Sequence, residues 1–321
     1  MNPAKLDLRK AWGPALGLVL VLLLAGVPRA IPGYTVVLVY TILMYIILTV
    51  SWVIFSAPTG YVSLAPAAFF GVGVYTSAVL GMRVPLPVVI SLGGLASACL
   101  AFLVGALTLR LRGIYFSIFT FGLVELIKHS VLWYELKFTG TRGRFLIPLG
   151  NNTIYYVMLA IFAATLLTAY LIRHSRYGLA LRSIGQEEEA AAHTGVDVTL
   201  LKVITFAISA VFTGAAGAIW AIRLTYIDPY IAFDPLNSFT PVLMAIFGGM
   251  GHIVGPILGA VVFSYVREIL ITRFPYYYML LMGIMLLAVI LYLPNGLVGL
   301  IEQWQKRAAE GRLWRYSKAK E

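Results

Sequence analysis

Residues 36–57 read VVLVYTILMYIILTVSWVIFSA, a run without a single charge. As a helix rising about 1.5 Å per residue, it is long enough to cross a hydrocarbon layer about 30 Å thick. It has no polar face, so it does not read as an amphipathic helix packed on a soluble core. Comparable runs stand at 14–27, 86–109, 152–172, 201–222 and 276–293. Of the 321 residues, 60% are hydrophobic and 12% charged, and mean hydropathy is +0.90. A soluble domain of this length could not hide that much apolar surface. The expected fold is all-α and polytopic. About ten membrane segments are expected, near 12–28, 34–57, 61–82, 86–109, 113–134, 152–172, 201–223, 239–250, 254–272 and 276–293. The eighth and ninth are short and split by GGMGHIVG (248–255), which leaves the count open by one or two.

The net charge of +11 does not point to nucleic acid, because the basic residues collect at the ends of apolar runs. With the N-terminus inside, ten segments place 15 Lys and Arg on the inner side and 8 on the outer, with Lys128 inside a span. That bias predicts cytoplasmic termini and puts 173–200 inside as the longest inner loop. Lys5, Arg9 and Lys10 precede the first run like a signal peptide. The run ends GVPRA without a small-x-small cleavage site, so it reads as a retained span. The lone Cys99 allows no internal disulfide. The chain reads as one membrane domain over 1–321 with a basic tail at 302–321 and no soluble domain appended.

The inner loop contains GLALRSIGQEEEAAAHTG (178–195). Glu187, Glu188 and Glu189 fall where a helix would start, and carboxylates there offset the positive end of its dipole. Ala190, Ala191 and Ala192 favour helix, and Gly195 can end it in a left-handed conformation. Asp197 or Thr199 can cap the next span. A helix of about two turns over 186–194 is expected. On charge alone the stretch reads equally as a solvated acidic loop.

Glu189-Ala190-Ala191 followed by Gly195 resembles the EAA-x-x-x-G signature of ABC importer permeases. The wider run YGLALRSIGQEEEAAAHTGVDVTLLKVITFAISAVFTGAAGAI (177–219) is similar to permeases for branched-chain amino acids, M-type subunits in particular. SLAPAAFFGVGVYTSAVL (63–80), LRGIYFSIFTFGLVELIK (111–128), FGGMGHIVGPILGAVVF (247–263) and LPNGLVGL (293–300) extend the likeness over about residues 45–300. The resemblance implies a permease subunit in the bacterial inner membrane that moves branched-chain or related hydrophobic amino acids. It implies a second homologous permease, cytoplasmic ATP-binding subunits and a periplasmic substrate-binding protein as partners. Gln186, Glu187, Glu188, Glu189, Ala190, Ala191 and Gly195 would then form the coupling helix that docks on an ATPase. The family's usual Ser-Leu-Gly-His is Ser63-Leu64-Ala65-Pro66 in this chain. That departure opens a urea or short-chain amide as an alternative solute.

Candidate path or gate residues are Ser63, Ala65, Pro66, Phe70, Gly71, Glu125, Lys128, Gly248, Gly249 and Gly251. Glu125, Lys128 and His129 share one helix face. They either form an intrahelical ion pair or guide a zwitterionic solute. Gly248, Gly249, Gly251, Gly255 and Gly259 read either as a tight helical hairpin or as a gate. Gly251/Gly255/Gly259 and Ala210/Gly214/Ala218 form small-residue stripes for close helix contact. Thr139–Arg144 reads as a flexible outer turn or as a surface for the binding protein. His174, His193 and His252 are isolated, so no metal site is expected.

No phosphate-binding Gly-Lys loop and no nucleophile–base arrangement stands out, so neither a cofactor nor catalytic residues are expected. If transport uses ATP, its hydrolysis belongs to another polypeptide. A proton-coupled secondary transporter built on Glu125, Lys128 and His129 is the alternative outside this class, with a membrane-embedded enzyme behind it.

Overall fold

A computed structural model of the protein describes residues 17, 19–30, 33–81, 83–251, 254–292 and 296–299. Lys5, Arg9, Lys10, His252 and the basic tail 302–321 lie outside the described residues. The chain divides into two compact units, Met1–Pro241 and Val242–Glu321.

Seven of the ten expected membrane segments are matched among the described residues by helices of spanning length. Seven helices among the described residues are long and apolar enough to cross a membrane. They are Gly33–Thr59, Leu86–Thr108, Ile114–Thr139, Asn151–His174, Val198–Ala221, Pro229–Gly248 and Val254–Arg273. Val19–Arg29, Pro66–Leu80 and Tyr278–Tyr292 are shorter. The molecule is thus an all-α polytopic membrane protein. Arg144–Phe145 and Tyr226–Ile227 pair as a two-residue antiparallel ladder, the one β element among the described residues.

The first unit is built on Gly33–Thr59 (α1), Pro66–Leu80 (α2), Leu86–Thr108 (α3), Ile114–Tyr134 (α4), Asn151–His174 (α5) and Val198–Ala221 (α8). Arg176–Gln186 (α6) and Glu188–His193 (α7) fill the loop between α5 and α8. Lipid tails give helices no hydrophobic reason to pair, so contact depends on fit. Small residues supply it where α2, α3 and α8 cross. A Cβ on Gly73 would meet the carbonyl of Gly214, and one on Gly214 would meet Ser97 Oγ. Ala210 and Ala218, the other members of that stripe, are fully buried. Ser77 Oγ donates to the Ala218 carbonyl at 2.6 Å, and Ser97 Oγ to that of Phe69 at 2.8 Å. Outward, Leu95, Phe102 and Leu103 of α3 and Ile118, Phe119 and Leu126 of α4 are exposed, as lipid-facing side chains would be.

The segment expected as one helix over 61–82 starts only at Pro66. Gly60 (φ 73°) ends α1, and residues 60–65 run uncoiled before Pro66 opens α2. Proline has no N–H to give the preceding turn, so it begins a helix more readily than it continues one. Leu236–Gly248 (α9) spans the boundary between the units. Val254–Arg273 (α10) and Tyr278–Tyr292 (α11) follow it.

Candidate functional site

The loop 173–200 is almost wholly helical. In α6, Leu181 and Ile184 are buried, and with Ala191 of α7 and Leu201 of α8 they form a small apolar cluster. The spacing of Leu181 and Ile184 was a helical signal that the loop reading passed over. Ser175 caps α6, its Oγ accepting from the Gly178 N–H at 3.2 Å. Gly185 sits where a Cβ would strike the Pro58 carbonyl, so α6 lies against the end of α1.

The expected helix over 186–194 is Glu188–His193, six residues long. Glu187 is its extended N-cap and Gln186 closes α6. Glu188 and Glu189 stand in the first turn, where the dipole favours carboxylates. Gly195 takes φ 85°, and Asp197 Oδ1 accepts from the Leu200 N–H at 3.0 Å to start α8. Glu187, Glu189 and Ala190 face outward or are half exposed, whereas Ala191 is buried.

Glu188 is held. One oxygen pairs with the Lys202 ammonium, and the other accepts from the Tyr61 hydroxyl at 3.0 Å, with Arg112 Nε at 3.4 Å. Lys202 also donates to the Leu109 carbonyl at 3.1 Å and to the Tyr61 oxygen at 3.2 Å. Burial pushes the Glu188 carboxyl up. The bond and charge of Lys202, the Tyr61 hydroxyl and the Arg112 charge outweigh that and hold it below the usual carboxylate range. Arg112 reaches Glu189 as well, at 3.7 Å. Tyr61, Arg112 and Lys202 were not singled out in the sequence. Lys202, a cation at the start of an apolar run, carried a signal.

Tyr61 belongs to the uncoiled strap 60–65. Exposed backbone polar groups are not tolerated in lipid, so a break of this kind must be satisfied by protein. Ser117 Oγ donates to the Val62 carbonyl (2.7 Å) and Trp52 Nε1 to the Ser63 carbonyl (2.8 Å). The Leu64 N–H reaches Thr120 Oγ1 (3.0 Å). Ser238 Oγ donates to the Leu64 carbonyl (2.8 Å) and accepts from the Ala67 N–H (3.0 Å). Ser63, Ala65, Pro66, Phe70 and Gly71 are all buried in this packing. Gly71 admits the Phe233 ring where a Cβ would collide with it.

An apolar pocket of about 570 Å³ lies between α2, α3 and α4. Val72, Tyr75, Leu95, Cys99, Ile127 and Phe233 are among its lining residues, and none of the sequence-derived path residues is. Beside it, Tyr75 donates to Glu135 Oε2 (3.3 Å), which also accepts the Gly143 N–H (2.9 Å). Arg142 pairs with Asp228 at 2.6 Å and lies over the Tyr230 ring. This places the Thr139–Arg144 turn on a charged network. Lys128 and Glu125 form the intrahelical ion pair at 2.5 Å, with Lys128 also 5.4 Å from the Tyr230 ring centre.

In the second unit Gly248, Gly255 and Gly259 bring two backbones together. A Cβ on Gly248 would strike the Gly255 carbonyl, and one on Gly259 the Met244 carbonyl. Gly249 takes φ 93°, and a Cβ on Gly251 would meet nothing within 4 Å.

Residues 34–290 match the model of the branched-chain amino acid transport system permease component. The high-affinity branched-chain amino acid transport system permease protein LivM of Salmonella typhimurium is 28% identical over 80% of this chain and 68% of its own length. LivM of Escherichia coli K12 is 27% identical over 87% of this chain and 73% of its own length. The ribose import permease protein RbsC of E. coli K12 is 27% identical over 45% of this chain and 46% of its own. No solved structure matches. With some four-fifths of its length matched by that model, the chain belongs to the branched-chain amino acid transport system permease family, membrane subunits of ABC transporters.

Proposed function

We propose that this permease carries branched-chain or related hydrophobic amino acids inward across a bacterial inner membrane. Both termini and the α6–α7 loop face the cytoplasm in this reading. Two ATP-binding subunits bind from that side, a second homologous permease completes the path, and a periplasmic binding protein delivers the solute. ATP binding draws the ATPases together, and α7 moves with the groove it occupies. The attached α8 tilts, and access switches between the two sides. ATP hydrolysis stays on the partner subunits.

The observation that carries this reading is α7 itself. It is a short helix between two membrane helices with outward carboxylates at its start and a left-handed glycine after its end. The amino-acid solute is favoured over a sugar because the LivM relatives match over 80–87% of the chain and the ribose permease over 45%.

The test uses the reconstituted importer carrying Glu189→Lys or Gly195→Leu. Gly195 has open space around it but a positive φ, so its variant strains the turn without a clash. Uptake per ATP hydrolysed should fall at least about tenfold while membrane insertion persists. Unchanged uptake in both variants would remove α7 from the coupling role.

A further inference from the structure

The strap 60–65 and helix α7 meet at one side-chain cluster. Lys202 is 2% exposed, and its ammonium is shared by three elements: Glu188 of α7, the Tyr61 hydroxyl of the strap and the Leu109 carbonyl at the end of α3. A buried ammonium left without its acceptors is costly, so elements that share one are bound to move together. The Tyr61 ring lies 4.5 Å from Lys202 and packs edge-on to Phe116 with centres 5.5 Å apart. The other anchors of the strap are neutral hydroxyls and an indole, whose bonds are weaker than those to a charged group. At the head of the strap, Gly60 has a positive φ and nothing within 4 Å of where a Cβ would stand, a backbone position suited to a hinge. The strap is therefore a hinged segment whose strongest attachment runs to α7.

We propose that Tyr61 and Lys202 are positioning residues, a latch through which displacement of α7 is passed to strap 60–65 and so to the start of α2. The latch rests on the proposed docking of α7 to an ATP-binding subunit. It adds a second route from that helix into the membrane domain, separate from the covalent link to α8. Movement enters at Glu188, passes through the shared ammonium to the Tyr61 hydroxyl, and turns the strap about Gly60.

The test follows labelling of Val62, which is exposed on the strap. Cys99→Ser removes the one native thiol, and Val62→Cys adds a reporter to the full importer in proteoliposomes. Thiol-labelling rate, uptake and ATP hydrolysis are measured with and without ATP. In the parent the rate at position 62 should change at least about threefold on ATP binding. Tyr61→Phe keeps the ring and removes both hydroxyl bonds. It should abolish that change and lower uptake about tenfold while ATP hydrolysis stays within about twofold. Lys202→Met should behave likewise, and Lys202→Arg, which keeps the charge, should restore part of the response. An ATP response at position 62 that persists in Tyr61→Phe overturns the latch, as does a parent that transports without any response there. If the parent never binds ATP-binding subunits, the docking reading itself fails, and that result is distinct from the other two. Should Lys202→Met fail to fold, Tyr61→Phe and Lys202→Arg still decide the matter.

Discussion

The crossing of α2, α3 and α8 and the strap 60–65 lie within one unit and are held by opposite means. At the crossing, helices stay intact and satisfy their own backbones, so small residues are enough to bring them together: Gly73 against Gly214, and Gly214 against Ser97. In the strap the helix is broken, so freed backbone groups are met by polar side chains, several from other elements: Trp52, Ser117, Thr120 and Ser238. Lipid as solvent makes continuity inexpensive and interruption costly. A chain that keeps such a break has gained a segment able to change shape.

That contrast can be broken most severely at the crossing. Gly214→Leu forces a branched side chain into Ser97 and should destabilise the protein by about 3 kcal/mol or more, read as a lower Tm in detergent and loss of folded yield. In the strap the largest loss should follow Ser238→Ala, which orphans the Leu64 carbonyl and the Ala67 N–H together. It should cost about 2 kcal/mol, with the far end of α8 unaffected in hydrogen exchange. Thr120→Val keeps the shape and removes one acceptor from the Leu64 N–H, for about 1 kcal/mol in the same assay. If Thr120→Val proved costlier than Gly214→Leu, the distinction between packed and bonded regions would collapse.

Acid supplies a gentler probe. Glu188 titrates lower in the folded protein than in an unfolded chain, so its stabilising contribution is complete above the ordinary carboxylate range. It fades as pH falls through the depressed folded value. Glu188→Gln should therefore be less stable than the parent at neutral pH, and the gap in Tm should narrow on acidification. A gap that widened in acid would reverse the assigned sign. Ser130→Ala, on an exposed helical face with its bond to the Leu126 carbonyl, should change Tm by less than about 0.5 kcal/mol equivalent and serves as the control.

The membrane helices were legible because uninterrupted apolar runs leave few other options, as 36–57 shows. The small-residue stripe at Ala210, Gly214 and Ala218 was equally readable, since spacing by four puts them on one face. Helix α6 was missed although Leu181 and Ile184 stand one turn apart, because the charges around them suggested a loop. The strap was only half legible. Pro58, Gly60 and Pro66 marked a break, but its partners sit in other helices, Ser238 as far as 174 positions away. Glu188 was singled out from its place at a helix start, whereas Lys202, a cation opening an apolar run, was passed over. Tyr61 could not be singled out, since its role exists only once the backbone uncoils and turns its hydroxyl toward α7.

The dependence of the strap on Ser238 has a bearing on biogenesis. A ribosome delivers residues 60–67 long before it delivers residue 238, and through that interval the Leu64 carbonyl and Ala67 amide lack their final partner. The early helices can enter the bilayer one by one, but this part of the fold cannot close until the later half of the polypeptide has arrived. A nascent chain stalled before α9 would hold an unfinished stretch of backbone that needs water, or an insertion factor, to shelter it.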